Sequence, residues 1–434
     1  MSAHRALLVC AFAALVLPRA ASAQARGDSL RLDALHAAAE QHDPRAAQLA
    51  IRESQSALRL RTISDERLPS ITGSAAAQHQ SVVTEFPPVP GRPGVSLLHD
   101  TYDANVNVTE PLVDLTRSKR AAVERARLAR ARADVATALY DVRRQVNASF
   151  FAAAALSARH EAVAAAIGDL EAQAKVMEAR VRNGTALRGE LSAIRAEALR
   201  RRQDDAQLLA DRAAALRVLA DLTGVVLRPD APIALPSLGQ RVAAARPRSD
   251  SIAARPELAR FERMRDELSR QADVAAAQTK PRVSAFVRGG VGRPGLDILS
   301  TRAETYWLGG VEVRWNPFDW GRTSRDREAL ELERLAVTAD ATAFRDALRR
   351  QTVGDLATID RLEQVLGADD EIVGLREQIV REAAARFRES TITAAEYVDR
   401  QTELLTARIN RGLHRVELEQ ARAAYLTTLG LQVR

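Results

Sequence analysis

Seven histidines and one cysteine are the side chains of this sequence best suited to metal or nucleophilic chemistry. The histidines are His4, His36, His42, His79, His99, His160 and His414. None belongs to an HExxH pair, and His36 and His42, six positions apart, do not share a helix face well. No dinucleotide-binding G-x-G-x-x-G fingerprint, Walker loop or G-x-S-x-G elbow is expected. Cys10 falls inside an N-terminal segment that reads as a secretory signal, so no disulfide, thiol nucleophile or thiolate metal site is expected. The sequence therefore predicts neither an enzyme nor a resident cofactor or metal.

Composition turns attention from chemistry to architecture. Of the 434 residues 46% are apolar, 27% charged and only 4% aromatic. Alanine, arginine, leucine and glutamate dominate, and all are good helix formers. The net charge of +7 is the small difference between 63 basic and 56 acidic residues, and the two signs interleave. That pattern suits an ion-paired helix surface, not a nucleic-acid face, which gathers its basic residues on one side.

Residues 1–23 carry a basic Arg5, an apolar run from Ala6 to Leu17 and the small residues Ala21-Ser22-Ala23, the pattern of a signal peptide cut before Gln24. Beyond it no stretch of about 18 residues is apolar and free of charge, which argues against a membrane-spanning helix. It leaves a β-barrel open, because barrel strands carry a weaker signal.

The chain is written twice. Pro44 and Pro256 each open a helix-like segment, and Pro69 and Pro281 each open a strand-like one 25 residues later. Pro111 and Pro317 close second strands, and each is followed 73 residues later by a helix–turn–helix landmark at Gly184 or Ser390. The one unequal interval, Pro69–Pro111 against Pro281–Pro317, differs by six residues in a loop. The expected organisation is repeat 1 at 24–225, a proline-rich connector with little helix potential at 226–250, and repeat 2 at 251–434.

Each repeat reads helix, strand, loop, strand, very long helix, turn, returning helix. In the strand near 100–110, Tyr102, Ala104, Val106 and Val108 alternate with Asp103, Asn105, Asn107 and Thr109. In the strand near 303–316, Trp307, Gly309, Val311, Val313 and Trp315 share a face. Partner strands are expected near 70–80 and 282–292, and loop 84–99 as irregular structure. Trp307, Trp315, Phe318 and Trp320 cluster around the last strand, where aromatics suit a membrane–water interface. The long helices are expected at 118–182 and 323–388, the latter softened by Gly354, Gly367 and Gly374; the returns are expected at 188–222 and 392–428. A run of about 65 residues makes a rod of about 100 Å. Leu128, Val135 and Val142 recur every seven residues, as in a coiled coil. The returning helices are about half as long, so the short leading helices must stack end to end with them to cover the rods. The connector then lies near mid-rod, as a belt.

The fold class that follows is mainly α with a small β part: long helical hairpins forming an α-barrel, plus four strands given to a shared transmembrane β-barrel. Four strands expose two edges, and in lipid an edge must be closed. Single-chain barrels begin at about eight strands, so several chains must contribute.

At this point the chain resembles an outer membrane factor of the TolC type, over about 28–430. The resemblance rests on the duplicated layout, the PLVDLTR and PFDWGR segments after strands, the RVRNGT tip, and the endings DLTG (221–224) and TTLG (427–430). It implies a homotrimer in the outer membrane with a large periplasmic extension. It also implies a periplasmic adaptor and an inner-membrane transporter as partners, in efflux or type I secretion. It implies a periplasmic gate in which Phe387 takes the aromatic place and Glu396 and Asp399 the acidic ones; these two lie three positions apart on one helix face. Ser390-Thr391 stands where Gly-Thr is expected, and Ile392 where some members are basic. Asn183, Gly184, Thr185, Ser390 and Thr391 are the expected helix-tip turns and adaptor contacts. The alternative is a periplasmic coiled-coil adaptor or an envelope-bridging structural protein, neither of which needs two matched strand pairs.

Overall fold

The computed structural model describes residues 29–88, 90–91, 94–248 and 254–432; the expected signal segment lies outside them. In chain order the elements are α1 (Leu32–His42), α2 (Pro44–Asp65), β1 (Ser70–His79), β2 (Glu85–Phe86), β3 (Val95–Ser96), β4 (Asp100–Val113), α3 (Leu115–Arg182) and α4 (Arg188–Thr223). Then come α5 (Gly239–Ala245), a 3-10 turn (Arg246–Arg248), α6 (Pro256–Gln278), β5 (Arg282–Arg293), β6 (Glu304–Arg314), α7 (Arg322–Arg388) and α8 (Ala394–Thr428).

The two rods, α3 with 68 residues and α7 with 67, are each about 100 Å long. Nothing inside them stops a helix, and α7 continues through Gly354, Gly367 and Gly374, which leave open space around a Cβ. Side chains define the starts. Asp114 accepts from the Thr116 N–H at 2.8 Å to open α3, and Asp43 accepts from the Arg45 N–H at 2.8 Å to open α2. Asp43 also separates α1 from α2, a break that splits the single leading helix expected of repeat 1.

The rods are covered in halves. Toward the turns, α3 pairs with α4 and α7 with α8; toward the sheet, α2 and α6 pack on α3, and α6 also packs on α7. The short helices meet end to end where the chain makes left-handed glycine turns. Gly224 follows α4 with φ +67°, and a Cβ there would meet the His42 ring at 2.4 Å. Gly430 follows α8 with φ +81°, and a Cβ there would meet the Ala254 backbone at 2.7 Å. The DLTG and TTLG endings are therefore the joints of the stack.

The main core sits at mid-rod. Val146, Phe150 and Phe151 of α3, Leu219 of α4, Ile359 of α7 and Leu426 of α8 form its centre. Leu30 and Leu35 at and beside α1, with Leu238 and Val242 of the belt, close it. Leu30 and Ile233 form a parallel bridge, with Leu30 N–H donating to the Pro232 carbonyl at 2.8 Å. Buried Arg212 holds the belt in place, donating to Ser157 Oγ at 2.8 Å and to the carbonyls of Pro229 and Ala231. Contrary to its low helix potential, the connector contains α5, because Leu238, Val242 and Ala245 fill the core and packing overrides propensity. The alanine-rich middle of α3 is apolar enough to cross a membrane by composition. Within that helix Phe150, Phe151, Ala153 and Ala154 are buried in this core.

The four long strands form one antiparallel sheet in the order β1-β4-β5-β6, so the hairpins of the two repeats join through β4 and β5. The stretch expected to be irregular at 84–99 contains the short ribbon β2–β3. Strand β4 runs past Pro111 to Val113, with a register irregularity there, where a proline that cannot donate is tolerated. Among the described residues nothing pairs with the outer edges of β1 and β6.

Candidate functional site

Alternation gives the sheet two unlike faces. Ile71, Val108, Val287 and Gly309 share one cross-strand row, and Gly73, Val106, Gly289 and Trp307 share another two residues along. This face is apolar and uncovered; Val311, on the same face, is 64% exposed. The opposite face carries a polar chain across the strands. Ser74 Oγ donates to Asn105 Oδ1 at 2.9 Å, and Asp103 accepts from both Asn105 Nδ2 and Tyr306 OH. A large bare apolar face backed by a polar one has no place in water, and suits a wall between lipid and an aqueous lumen.

The aromatics fall at two levels of that wall. Trp307 is 76% exposed on the apolar face. Trp315, Phe318 and Trp320 are exposed at the rod end of β6, with Phe318 and Trp320 edge to face at 4.8 Å. The Trp315 indole N–H donates to the Thr279 carbonyl at 3.1 Å. Eight residues of strand separate Trp307 from Trp315, about 26 Å of extended chain. An outer-membrane apolar band is about 25 Å tall.

The other end of each rod is a turn, and the two turns are near copies. Thr185 N–H donates to the Arg180 carbonyl at 2.9 Å and Gly184 N–H to Val181 at 3.1 Å; Thr391 and Ser390 do the same to Arg386 and Phe387 at 3.0 and 3.1 Å. Each is a Schellman turn whose fifth residue is left-handed: Gly184 at φ +73° and Ser390 at φ +60°. Both threonine hydroxyls donate back to the same carbonyls, at 3.1 and 2.9 Å. Asn183 caps α3 just before Gly184.

Within one chain the expected gate residues take different surroundings. Phe387 is 1% exposed and stacks on Tyr397 at 5.4 Å, inside a tip core with Leu170, Met177 and Ile194. Its ring is enclosed within the chain, where it braces the tip. Burial also pushes the Tyr397 phenol above its ordinary range, while its oxygen accepts from Gln401 at 2.8 Å. Glu396 is exposed and caps α8: its carboxylate accepts from the Thr393 N–H at 3.0 Å and Thr393 Oγ1 from the Glu396 N–H at 3.2 Å. Asp399, one turn on, is exposed on the same helix. Ile392 packs against the tip core.

Sequence reasoning missed Arg180. Its guanidinium spans the two turns, donating to Ser390 Oγ at 2.6 Å, the Phe387 carbonyl at 3.2 Å and the Thr185 carbonyl at 3.4 Å. The only available signal was an arginine four positions before the left-handed residue, and Arg386 shares it. A glycine pattern was also passed over: Gly290-Val291-Gly292-Arg293-Pro294-Gly295 has G-x-G-x-x-G spacing. It runs off β5 into a hairpin and opens no helix, so it forms no dinucleotide cradle. No cluster of three metal-binding side chains occurs among the described residues.

No protein-family model and no curated protein matches the chain. Solved structures do. The outer membrane protein VceC of Vibrio cholerae is similar with a TM-score of 0.66 and 18% identity, over 93% of this chain and 97% of that one. CusC, whose structures concern transmembrane channel formation, gives 0.69 and 14% over 92% of each chain. The open state of the MtrE outer membrane channel of Neisseria gonorrhoeae gives 0.66 and 14%, over 93% and 90%. The fold of this chain is thus the subunit fold of outer-membrane channels: an α-barrel of long hairpins joined to a four-stranded sheet.

Proposed function

We propose that three copies of this chain form a duct through the outer membrane and periplasm, the passive exit of a tripartite efflux or type I secretion system. One observation carries the reading: a sheet of four strands, both edges free, with an apolar face bare to its surroundings and a hydrogen-bonded polar face behind it. Three such sheets close a twelve-strand barrel, within the size range of membrane barrels. The rods continue the ring for about 100 Å into the aqueous space. An adaptor or a bridging scaffold would leave the two-faced sheet unexplained.

Selection among solutes belongs at the turns in this reading. Glu396 and Asp399 of three copies supply six carboxylates around the inner end, a ring that favours cations. The exposed turns at 183–185 and 390–391 are the contacts for an adaptor, which links the duct to an inner-membrane transporter. Electron microscopy of detergent-extracted particles tests the duct: threefold particles with a long rod and a collar are expected, and channel-free monomers would end the proposal. The carboxylate ring is tested separately with Asp399→Asn and Glu396→Gln, the latter keeping the capping geometry. Weaker block of reconstituted channels by divalent cations is expected; unchanged block would remove the ring.

A further inference from the structure

The loop joining β5 to β6, residues 294–303, does not extend away from the sheet. Asp103, Gly292 and Glu304 share one cross-strand row, so their side-chain positions lie on the polar face. A Cβ built on Gly292 would meet the Pro294 carbonyl oxygen at 2.9 Å, Asp103 Oδ2 at 3.2 Å and the Gly295 Cα at 3.4 Å. A Cβ on Gly295 would meet the Glu304 Cβ at 3.2 Å. The chain therefore turns back over the polar face as it leaves β5, and only glycine leaves room for it. Two bonds hold the fold: Arg293 Nε donates to the Thr301 carbonyl at 2.9 Å, and Ser300 Oγ to Glu304 Oε1 at 2.5 Å. Asp297 shapes the tip, accepting from the Leu299 N–H at 3.0 Å.

That tip is apolar. Leu296, Ile298 and Leu299 are each more than half exposed, at 56%, 60% and 52%. Loop tips in water are ordinarily polar, and three consecutive-turn aliphatics without cover ask for a partner. The loop's direction identifies it. Twelve strands about 4.8 Å apart and tilted about 40° give a wall of roughly 12 Å radius. Half of a ten-residue loop spans at most about 16 Å when extended, so a folded one still carries its tip well in from a wall of that radius. The neighbours met there are the same loops of the other copies.

We propose that Leu296, Ile298 and Leu299 of three subunits meet across the outer mouth of the duct and close it with an apolar constriction. The inference rests on the duct reading of the sheet. Such a constriction excludes water and ions while its walls touch, and yields when a cargo displaces it. The polar chain through Asp103 and Tyr306 lies on the face the loop turns over, so solutes that pass the constriction leave a hydrophilic wall.

Cysteine accessibility on intact cells tests it, because Cys10, in the expected signal segment, is the chain's only cysteine. Arg288 is exposed on the polar face and Val287, beside it, on the apolar one. With Arg288→Cys, labelling from outside by a bulky polyethylene-glycol maleimide is expected to be slow. It should rise about tenfold when the constriction is opened, either by Leu296→Ser with Ile298→Ser and Leu299→Ser, or by Gly292→Ala, which forces the loop off the polar face. Ile298→Cys alone should oxidise to disulfide-linked subunits. Equal labelling in every background, with no linked subunits from Ile298→Cys, overturns the constriction. A different failure marks the duct reading itself: Arg288→Cys unreactive even toward a small water-soluble thiol reagent while Val287→Cys reacts.

Discussion

Replacing Arg180 by alanine removes the one side chain, among the described residues, that hydrogen-bonds from one helical turn to the other. It makes a short bond to Ser390 Oγ at 2.6 Å, an ordinary one to the Phe387 carbonyl at 3.2 Å and a long one to the Thr185 carbonyl at 3.4 Å. The last stays within the first turn, so only two of the three couple one turn to the other. A charged donor to a neutral acceptor is worth about 1.5–3 kcal/mol when shielded, and about 0.5–1 when water competes, as it does at this half-exposed site. Two such bonds give a coupling of about 1–2 kcal/mol, or about a 5- to 30-fold change in the ratio of joined to separated turns. The tip core, which packs Met177 and Ile194 of one hairpin against Phe387 and Tyr397 of the other, is untouched, so each turn should keep its own fold and the loosening should be confined to the turns themselves. Single-channel recording in planar bilayers is the assay, with Arg180→Ala expected to raise the open fraction of the inner end by that factor. Arg180→Lys should fall near the alanine variant, because a point ammonium cannot serve both acceptors at once. A double-mutant cycle with Ser390→Ala isolates the 2.6 Å bond and should return about half the coupling. An open fraction unchanged in Arg180→Ala, or a cycle that sums without interaction, would refute the reasoning.

Three further outcomes follow from the same geometry. Gly184→Ala should cost about 1 kcal/mol of thermal stability purely through its φ of +73°, since nothing lies within 4 Å of a Cβ there; a melting temperature within error of the parent would contradict it. Val311→Arg, halfway between the two aromatic levels on the apolar face, should cost about 2–4 kcal/mol and deplete the protein from outer-membrane fractions, whereas Leu308→Arg on the opposite face should be tolerated. Burial holds His36 below its ordinary value of 6.5, beside Asn147 Oδ1 at 2.7 Å, so the unfolded chain takes up a proton that the folded chain refuses. Stability from this source is complete above pH 6.5 and is lost as the pH falls below it; the melting temperature of His36→Gln should therefore fall less steeply between neutral and mildly acid pH.

What the sequence made legible was whatever depends on local pattern. The rods follow from long runs without proline, and the faces of β4 and β6 from strict alternation, because both are properties of a single segment. The duplicated proline and glycine spacing adds long-range information of one kind, since equal intervals demand equal geometry, and Gly224 and Gly430 do occupy matching joints. What stayed hidden depends on which segments meet. Helix α5 exists because Leu238 and Val242 find the mid-rod core, not because its seven residues favour helix. The burial of Phe387 comes from Tyr397 and α3, which no spacing in α7 reveals.

Arg180 and Ser390 show where the duplication itself misleads. The two turns have the same hydrogen bonds, yet repeat 1 uses glycine at the left-handed position and repeat 2 uses serine. Read alone, that serine is a poorer turn residue, costing about 1–2 kcal/mol against glycine. In the folded chain its hydroxyl accepts the shortest of the Arg180 bonds, so the strained residue is also the one that ties the repeats together. The symmetry of the sequence therefore marks the scaffold, and its departures mark the places where the two halves of the chain do different work. The six extra residues between Pro69 and Pro111, the aromatics concentrated on β6 and the inward loop after β5 are departures of the same kind, and all lie on the sheet that would face the membrane.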